Sequence, residues 1–526
     1  MASHILDSRV LKDLYGTPEM RAVFDDLSVM QSWLDVEVAL AQAEAEIGII
    51  PMYASDEISR RARGETLDIV RIKLLVDQTV HPIVPLIRVL QEACDGDAGE
   101  YIHWGATTQD ITDTGMVLQI KQAIGIFEVR LSALTDVLLA LARRYRDTPM
   151  AGHTHGQQAL PITFGFKVSV WFSEVQRHRE RLAQCKARVL VGQFGGAVGT
   201  LASVARHGLE IQTGMMARLG LQKPSLPWHT ARDTIAEFCA TVSIISATMG
   251  KIALEIINLQ RTEVGEVEEP FYLGKVGSST MPHKRNPMIS EAAVAVARLV
   301  TRNVPVALDA MIQTHERDWV ADHLEWAVVP EICIMGDGAI YLTTRVLDGL
   351  QVYPEQMQRN LERLGGLMLS EAVMLALAPT IGRQAAHDVI YKCSMEAIEN
   401  KADFKKTLVA HPIVSKHLSG DEVEKLLDPA QYTGLAAYLC RSSPFISGVT
   451  GEYLSWLFRS SACRTPSGKC RSSANLRRQF ATCFNKDEFV DPFTRALGRK
   501  PPQWVLAGRC AKMITLHAPI ADTGMH

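Results

Sequence analysis

The sequence lacks the features that mark membrane, secreted and nucleic-acid-binding proteins. Its formal net charge is only −3 in 526 residues, so no basic excess predicts binding to nucleic acid or to an anionic membrane surface. No uninterrupted apolar run approaches the roughly 18 residues of a membrane-spanning helix. The first ten residues carry Asp7 and Arg9 instead of an apolar signal core. These absences predict a soluble, cytoplasmic protein without a nucleic-acid or membrane partner.

The cysteines give no sign of a metal site or of a disulfide scaffold. Ten are present, but none has metal-ligand spacing and no two form a Cys-x-x-Cys pair. In a large intracellular chain they are expected to be reduced thiols that lie mostly in the core. The sequence therefore predicts no metal ion.

Helical periodicity dominates the rest of the chain. Apolar residues between Trp33 and Ile47 recur at helical spacing, with Gly48 in the position of a C-cap. The segment from Phe164 to Leu182 has a similar apolar stripe, and residues 234–259 carry small residues that allow close helix contact on more than one side. Neither a series of alternating strands nor an internal repeat is found. The predicted fold class is all-α, a bundle of long helices.

Three helical regions and an atypical extension are predicted. The N-terminal region covers residues 1–105, the central region residues 106–355 and the third region residues 356–444. In the extension, residues 445–526, the stretch from Arg459 to Arg478 holds six basic residues and no acidic one. Disorder or an irregular appendage is expected there, and a nucleic-acid-binding tail is the alternative.

The most informative segment is residues 277–287, Gly-Ser-Ser-Thr-Met-Pro-His-Lys-Arg-Asn-Pro. Its glycine and two prolines exclude an ordinary helix. Hydroxyls, a cation and an amide donor are typical of a mobile loop that closes over an anionic substrate. One hydroxyl would take a proton, while Lys284 and backbone N–H groups hold the developing charge. The simpler alternative is a Gly/Ser turn with a solvated basic end.

Two further polar segments accompany this loop. Residues 103–114 place threonine hydroxyls and an amide at a predicted helix start, where a carboxylate would meet unpaired N–H groups. That pattern alone also fits an N-cap. Residues 152–158, Gly-His-Thr-His-Gly-Gln-Gln, form a predicted loop before the Phe164 helix. A histidine there can deliver a proton near neutral pH, although a lone histidine also fits a structural role.

In this order, the three segments resemble the three signature regions of the fumarase/aspartase superfamily, and residues 277–287 resemble its GSSxMPxKxNP signature. The resemblance extends from about Tyr15 to Tyr438. Within the superfamily, the chain is most similar to the branch of adenylosuccinate lyase and 3-carboxy-cis,cis-muconate cycloisomerase. Residues 227–233 and 315–326 look like the cycloisomerase, whereas residues 152–155 look like adenylosuccinate lyase.

The resemblance implies a role for each matching residue. Ser278 would be the base that removes the proton alpha to a carboxylate, and His155 the acid that protonates the leaving group. His81 would be either a second acid/base partner or a packing histidine. The other matching residues would bind the substrate, stabilise its aci-carboxylate form or support the loop: Thr107, Thr108, Thr154, Ser279, Lys284, Asn286 and Arg317. A homotetramer is also implied, in which three subunits contribute to each active site.

The chain departs from adenylosuccinate lyases where those enzymes hold a nucleotide phosphate. Leu14, Asp322 and Trp326 stand at those positions. An acid and two apolar groups in place of cations and donors should exclude a phosphate. A role in purine synthesis is therefore not predicted, and a smaller dicarboxylate-containing substrate fits better.

The sequence thus predicts a lyase that breaks the C–N bond of a succinyl-type adduct and releases fumarate or a close analogue, without a metal or an organic cofactor. The alternative enzyme is a cycloisomerase that closes a carboxymuconate to a lactone. The alternative from another class is a non-catalytic, crystallin-like structural protein. Intact Ser278, His155, Lys284 and Asn286 argue against the latter, since a scaffold has no need of them.

Overall fold

A computed structural model describes residues 4–442 of the chain. The predicted extension, residues 445–526, lies outside the described residues. The prediction that it is disordered therefore stays a prediction. The helices of the N-terminal part are α1 (Pro18–Val23), α2 (Asp26–Glu46), α3 (Met52–Arg61), α4 (Ile69–Thr79) and α5 (Ile83–Ala93). The central helices are α6 (Thr108–Arg144), α7 (Phe164–Val189), α8 (Gly208–Leu219), α9 (Asp233–Leu259), α10 (Met288–Asp309) and α11 (Val320–Asp348).

The described part also contains seven further α-helices, four strands and several short 3-10 helices. The helices are α12 (Pro354–Glu362), α13 (Ser370–Ile381), α14 (Arg383–Glu399), α15 (Phe404–Ala410), α16 (Pro412–His417), α17 (Gly420–Leu426) and α18 (Ala436–Ser442). The strands are β1 (Pro149–Thr154), β2 (Gln157–Thr163), β3 (Val267–Glu268) and β4 (Gln351–Val352), which form two antiparallel pairs. The predicted all-α fold is confirmed.

The long helices α6, α7, α9, α10 and α11 pack against one another as a bundle. Helix α7 shows why: Phe164, Val168 and Phe172 recur every four residues, and each is at most 1% exposed. Such a stripe buries one side of the helix in the core and leaves the other side for polar residues. The predicted stripes therefore do become the buried faces of helices.

The buried residues form one large cluster and several smaller ones. The large cluster contains buried residues scattered along the chain between Leu6 and Cys440. A second cluster lies within residues 30–102 and a third within residues 373–423. The predicted region boundaries near residues 105 and 355 stay predictions.

The segment predicted as a loop before α7 is instead a β-hairpin. Thr154 pairs with Gln157, so the turn consists of His155 and Gly156, with φ angles of 52° and 76°. Positive φ at both central residues is characteristic of a type I′ turn. The hairpin was missed because its register shifts between Ala151 and His153, which interrupts the alternation, and because Pro161 in β2 argues against a strand.

Among residues 4–442, two helices, α9 and α11, are long and apolar enough to cross a membrane by length and composition alone, and a bent pair, α12 with Leu367–Ile381, would be a third. The prediction from the sequence considered only uninterrupted apolar runs and missed them. In α9 and α11 the apolar window is 56% and 72% buried inside the protein, so packing within the bundle accounts for more than half of this apolar surface. The cytoplasmic location and the lack of a membrane partner stay predictions.

Candidate active site

Four of the predicted site residues meet at the start of α6. Thr107 and Thr108 lie at its N-terminus. The Arg317 guanidinium donates to Thr107 Oγ1 at 2.9 Å, and Thr108 Oγ1 lies 3.1 Å from His81 Nε2. Three segments that are far apart in the sequence thus form one polar group, here called the threonine cluster: Thr107, Thr108, His81 and Arg317.

The hydrogen bonds of His81 define its protonation. Its Nδ1 accepts the backbone N–H of Val84 at 3.2 Å, so the neutral ring carries its proton on Nε2 and donates it to Thr108. Partial burial, and then the charge of His103, lower the pKa of His81. Its ring also lies 5.3 Å from that of Trp319. These contacts fit both roles that the sequence left open for His81, second acid/base partner and packing histidine, so the choice between them stays a prediction.

Asp110 holds the threonine cluster in place. Its buried carboxylate accepts the N–H groups of Gly195 and Gly196, each at 2.9 Å, and that of Thr107 at 3.0 Å. It also lies 2.8 Å from His229 Nε2. Four polar partners satisfy this carboxylate, which lets a buried charge persist and ties the loop at residues 195–196 to the start of α6.

A buried ion network supports the same end of the bundle. Arg232, which is 1% exposed, donates to Asp113 at 2.7 and 2.9 Å and to Glu325 at 3.0 Å. Burial opposes the charge of Arg232, but the two carboxylates outweigh it and raise its pKa. The guanidinium also lies over the Trp228 ring at 4.9 Å. The network joins α6, α11 and the start of α9.

The wall beside the threonine cluster is aromatic and acidic. Trp319, His323 and Trp326 contact one another with ring centroids 5.3–6.0 Å apart. Between them in the sequence is Asp322, which is 3% exposed. Burial, and next the negative charge of Asp113, raise the pKa of Asp322 to about 7. An acidic group in this wall would disfavour a phosphate there.

Asp322→Asn should stabilise the protein in a pH-dependent way. The pKa of Asp322 is raised from 3.8 to about 7 in the folded protein, so its contribution to stability is lost as the pH rises through that range. Asparagine resembles the protonated form and escapes this loss. We expect the melting temperature of the variant to exceed that of the wild type by about 2–5 °C at pH 8 and to match it near pH 4. Thermal melts of both proteins across this range measure the difference, and a constant difference would contradict the assignment.

The segment between α9 and α10 carries the predicted base, and it is here called the serine loop (residues 260–287). A side chain at Gly277 would collide with the backbone of Lys284, so the loop folds back on itself where only glycine fits. Next to this contact, Ser278 Oγ accepts the backbone N–H groups of Met281 at 3.1 Å and Thr280 at 3.3 Å. Two donors thus point at the oxygen that would carry charge after deprotonation.

Glu269 anchors the serine loop, and the sequence reasoning missed it. Its buried carboxylate accepts Lys275 Nζ at 2.6 Å, the N–H groups of Ile289 and Ser290 at 3.1 and 2.9 Å, and Ser290 Oγ at 2.8 Å. A carboxylate at the N-terminus of α10 also suits the helix dipole. Since Glu269 lies 20 and 21 residues before Ile289 and Ser290, no local pattern signals the contact.

The other predicted residues of the serine loop are accessible. Ser279 and Lys284 are exposed and Asn286 is partly buried. Among residues 4–442, no hydrogen bond or ion pair engages their side chains, whereas neighbouring Arg285 pairs with Glu268 at 2.9 Å. The Lys284 ammonium is therefore open to an anionic ligand.

The hairpin β1–β2 presents Thr154 and His155 in exposed positions at its tip. A cavity of about 630 Å³ lies behind the hairpin, lined by residues of β1–β2, the end of α9 and α12. His153 and Gly156 line this cavity, and among the described residues His155 and Ser278 do not.

One chain does not assemble all the predicted site residues. The threonine cluster lies near Arg232, just before α9, and the serine loop follows the other end of this helix. Helix α9 has 27 residues, which corresponds to about 40 Å. The hairpin likewise follows the C-terminal end of α6, a helix of 37 residues. That end of the helix lies about 55 Å from Thr108. Within the described part of the chain, no hydrogen bond or ion pair joins His155 to Ser278.

Comparison with known proteins decides the family. Residues 15–302 match a family model described as "Lyase", and residues 366–442 match one described as "Adenylosuccinate lyase C-terminus". An N-acetyl-S-(2-succino)cysteine lyase from Dickeya dadantii is 43% identical over 83% of this chain and 96% of its own length. The chain belongs to the fumarase/aspartase superfamily. The resemblance inferred from the three motifs is thereby confirmed.

Two other members of the superfamily are similarly close. A 3-carboxy-cis,cis-muconate cycloisomerase from Pseudomonas aeruginosa is 41% identical over 79% of this chain and 92% of its own length. The solved structure of a fumarate lyase from Mesorhizobium sp. BNC1 is 40% identical, covers 82% of this chain and 98% of that chain, and superposes with a TM-score of 0.78. In our protein, residues 4–442 contain no group of His, Cys, Asp or Glu side chains suited to a metal ion. The expectation that the protein needs no metal or cofactor stays a prediction.

Proposed function

We propose that the protein cleaves a succinyl-type adduct by β-elimination and releases fumarate or a close analogue. The observation that carries this proposal is the environment of Ser278, whose Oγ accepts two backbone N–H groups at 3.1 and 3.3 Å. A serine hydroxyl is a weak base in water. Fixed donors aimed at the oxygen, together with the Lys284 cation of the same loop, would stabilise its deprotonated form in a closed site.

The proposed reaction uses the three groups of residues in turn. Ser278 removes the proton alpha to a carboxylate, and the electrons move into that carboxylate to form an aci-carboxylate dianion. Lys284, Asn286 and loop N–H groups stabilise this charge. His155 protonates the departing atom as its bond to carbon breaks. The remaining residues hold the carboxylates or shape the site: Thr107, Thr108, Thr154, Ser279, Arg317 and His81.

A shared active site in a homotetramer is part of this proposal. It is supported by the separation of the threonine cluster from the serine loop along the 27 residues of α9. It is also supported by apolar side chains that the described chain leaves exposed on the central helices. Ile244 and Leu254 on α9 are 48% and 42% exposed, and Leu308 on α10 is 49% exposed. Contact with another subunit would cover these apolar residues.

A thiol, released by cleavage of a thioether C–S bond, is our preferred leaving group, ahead of the amine predicted from the sequence. The Dickeya relative is named for a succinylated cysteine. In addition, Trp319, His323 and Trp326 form an aromatic wall beside the threonine cluster. Polarisable sulfur makes favourable contacts with aromatic rings, whereas the acidic Asp322 in this wall disfavours a phosphate.

The substrate is tested with the full-length protein and matched adducts. We expect fumarate release from N-acetyl-S-(2-succino)cysteine with kcat/KM at least about tenfold above that for the corresponding N-succinyl amino acid, and little or no release from adenylosuccinate. Mass spectrometry of the products measures both halves of each reaction. Rapid lactone formation from 3-carboxy-cis,cis-muconate without fumarate release would favour the cycloisomerase. A folded oligomer inert to every compound would favour the structural protein.

A further inference from the structure

A short glycine loop, defined as residues 195–199, lies between α7 and α8 and is not among the groups named in the proposed reaction. Its sequence is Gly-Gly-Ala-Val-Gly. Gly195 and Gly196 are buried, whereas Ala197 is exposed. The N–H groups of both glycines donate to the Asp110 carboxylate at 2.9 Å. A buried acid thus fixes the first two residues of a loop that continues on the surface.

Both glycines are needed for this close approach. A Cβ atom on Gly195 would lie 3.0 Å from the His229 ring and from the Pro227 side chain, closer than carbon atoms ordinarily pack. Gly196 has a φ of 71°, a left-handed conformation that is costly for a residue with a side chain. Larger residues at these positions would therefore move the backbone N–H groups away from Asp110.

The loop extends this fixed position to Arg317. The carbonyl oxygen of Ala197 accepts Arg317 Nη2 at 2.8 Å, and Arg317 Nη1 donates to Thr107 Oγ1 at 2.9 Å. Thr107 in turn donates its backbone N–H to Asp110 at 3.0 Å. These contacts form a closed cycle of hydrogen bonds, here called the Arg317 cycle: Asp110, the glycine loop, Arg317 and Thr107. Because both terminal nitrogens of the guanidinium are held, its plane cannot rotate without breaking a hydrogen bond.

Asp110 is a rigid base for the Arg317 cycle. It is 0% exposed, and its partner His229 is 3% exposed. An ionised carboxylate only accepts hydrogen bonds, so His229 Nε2 donates to Asp110 Oδ1 at 2.8 Å. The backbone carbonyl of His229 accepts Gln109 Nε2 at 2.9 Å, which ties this histidine to α6 as well. The acid that fixes the loop is therefore itself fixed by buried partners.

We propose that Asp110 and the glycine loop are positioning elements that aim the Arg317 guanidinium at a substrate carboxylate. A guanidinium has five N–H donors, and the Arg317 cycle uses two of them, so three remain for an anion. A cation held in a fixed plane loses less side-chain entropy on binding a planar carboxylate than a free one does. This inference rests on the proposed function in one respect, namely that Arg317 binds such a carboxylate.

Chemical modification of Arg317 tests the Arg317 cycle without any substrate. Phenylglyoxal reacts with accessible guanidinium groups, and mass spectrometry of the peptide that contains Arg317 gives its modification rate in the full-length protein. Gly195→Ala displaces the glycine loop and should release Arg317 from Ala197. We expect the rate at Arg317 to rise at least about tenfold, the order of effect of one hydrogen bond to a charged group. The rate at Arg383, an exposed arginine on α14, should not change.

Gly125→Ala is the matched control. It makes the same substitution on α6, the helix that carries Thr107 and Thr108, at a position where an added Cβ atom has nothing within 4 Å. We expect this variant to leave the modification rate of Arg317 unchanged. A rate that stays at the wild-type value in Gly195→Ala, or that rises equally in Gly125→Ala, would overturn the proposal.

Asp110→Asn breaks the Arg317 cycle at its other end and covers the case in which Gly195→Ala does not fold. Asparagine keeps the shape of the side chain, but its amide group donates where the carboxylate accepts backbone N–H groups. We expect the same rise in the modification rate of Arg317 as in Gly195→Ala. A folded Asp110→Asn protein in which Arg317 reacts at the wild-type rate would count equally against the proposal.

Calorimetry of fumarate binding links the Arg317 cycle to the site. Gly195→Ala and Arg317→Gln should each weaken binding at least about tenfold. The double variant should bind no more weakly than Arg317→Gln alone, because the loop acts through Arg317. Losses that multiply would show that Gly195→Ala distorts the site in general, and the positioning role would be wrong. If the wild type binds no fumarate, the proposed function fails, while the modification rates still decide whether the loop holds Arg317.

Discussion

Ser278→Ala is expected to lower kcat by about 10³- to 10⁴-fold while the fold and the binding of fumarate stay nearly intact. The described contacts of Ser278 Oγ are the N–H groups of Met281 and Thr280 within the loop itself, so alanine removes no long-range contact. Losing the base affects only the step in which the proton leaves carbon, which is why kcat falls and binding does not. Steady-state kinetics, circular dichroism and calorimetry of fumarate binding measure the three quantities.

Thr280→Ala is the matched control for this experiment. Thr280 is an exposed neighbour in the same loop, and its contribution to Ser278 comes from the backbone N–H, which alanine retains. We expect this variant to keep most of the wild-type activity. If Ser278→Ala kept activity within a few fold of the wild type, Ser278 would not be the base. If Thr280→Ala were equally inactive, loop geometry rather than the Ser278 hydroxyl would explain the loss.

Local patterns predicted much of this fold because a helix with one buried face carries apolar residues at fixed spacing along the sequence. The stripe that begins at Phe164 and Val168 became the buried face of α7, and the small-residue segment became α9. The same logic failed for β1–β2, where a register shift and a proline conceal the alternation. It also failed for the apolar content of α9 and α11, because scattered polar residues interrupt the runs without making the helices polar overall.

The candidate site was predictable only as separate pieces. The motifs named Thr107, Thr108, His155 and Ser278, but the residues that hold them are brought in by tertiary contacts. Arg317 contacts Thr107 across 210 residues, and Asp110 contacts His229 across 119. Glu269, the anchor of the serine loop, was missed for the same reason, since a single acidic residue within a loop carries no signal of what it will contact.

A mixed tetramer of two inactive variants is expected to regain activity. In one chain, the threonine cluster and Ser278 lie at opposite ends of α9, whose 27 residues span about 40 Å, so a site that needs both takes them from different subunits. The two variants are Ser278→Ala and the double variant Thr107→Val/Thr108→Val, which removes the hydroxyls and keeps the side-chain shape. Each alone should be nearly inactive.

Co-expression of the two variants with different tags, followed by purification on both tags, isolates the mixed oligomers. A site is intact when its serine loop comes from the threonine variant and its threonine cluster comes from the serine variant. With random assembly in equal amounts, this holds for about one site in four, so about a quarter of the wild-type kcat per site should return. Wild type mixed with Ser278→Ala is the control and should keep about half of its activity. Mixed oligomers that stay inactive while this control behaves as expected would show that one chain supplies both groups. The argument from the length of α9 would then fail, because the serine loop would have to extend back along this helix to the threonine cluster.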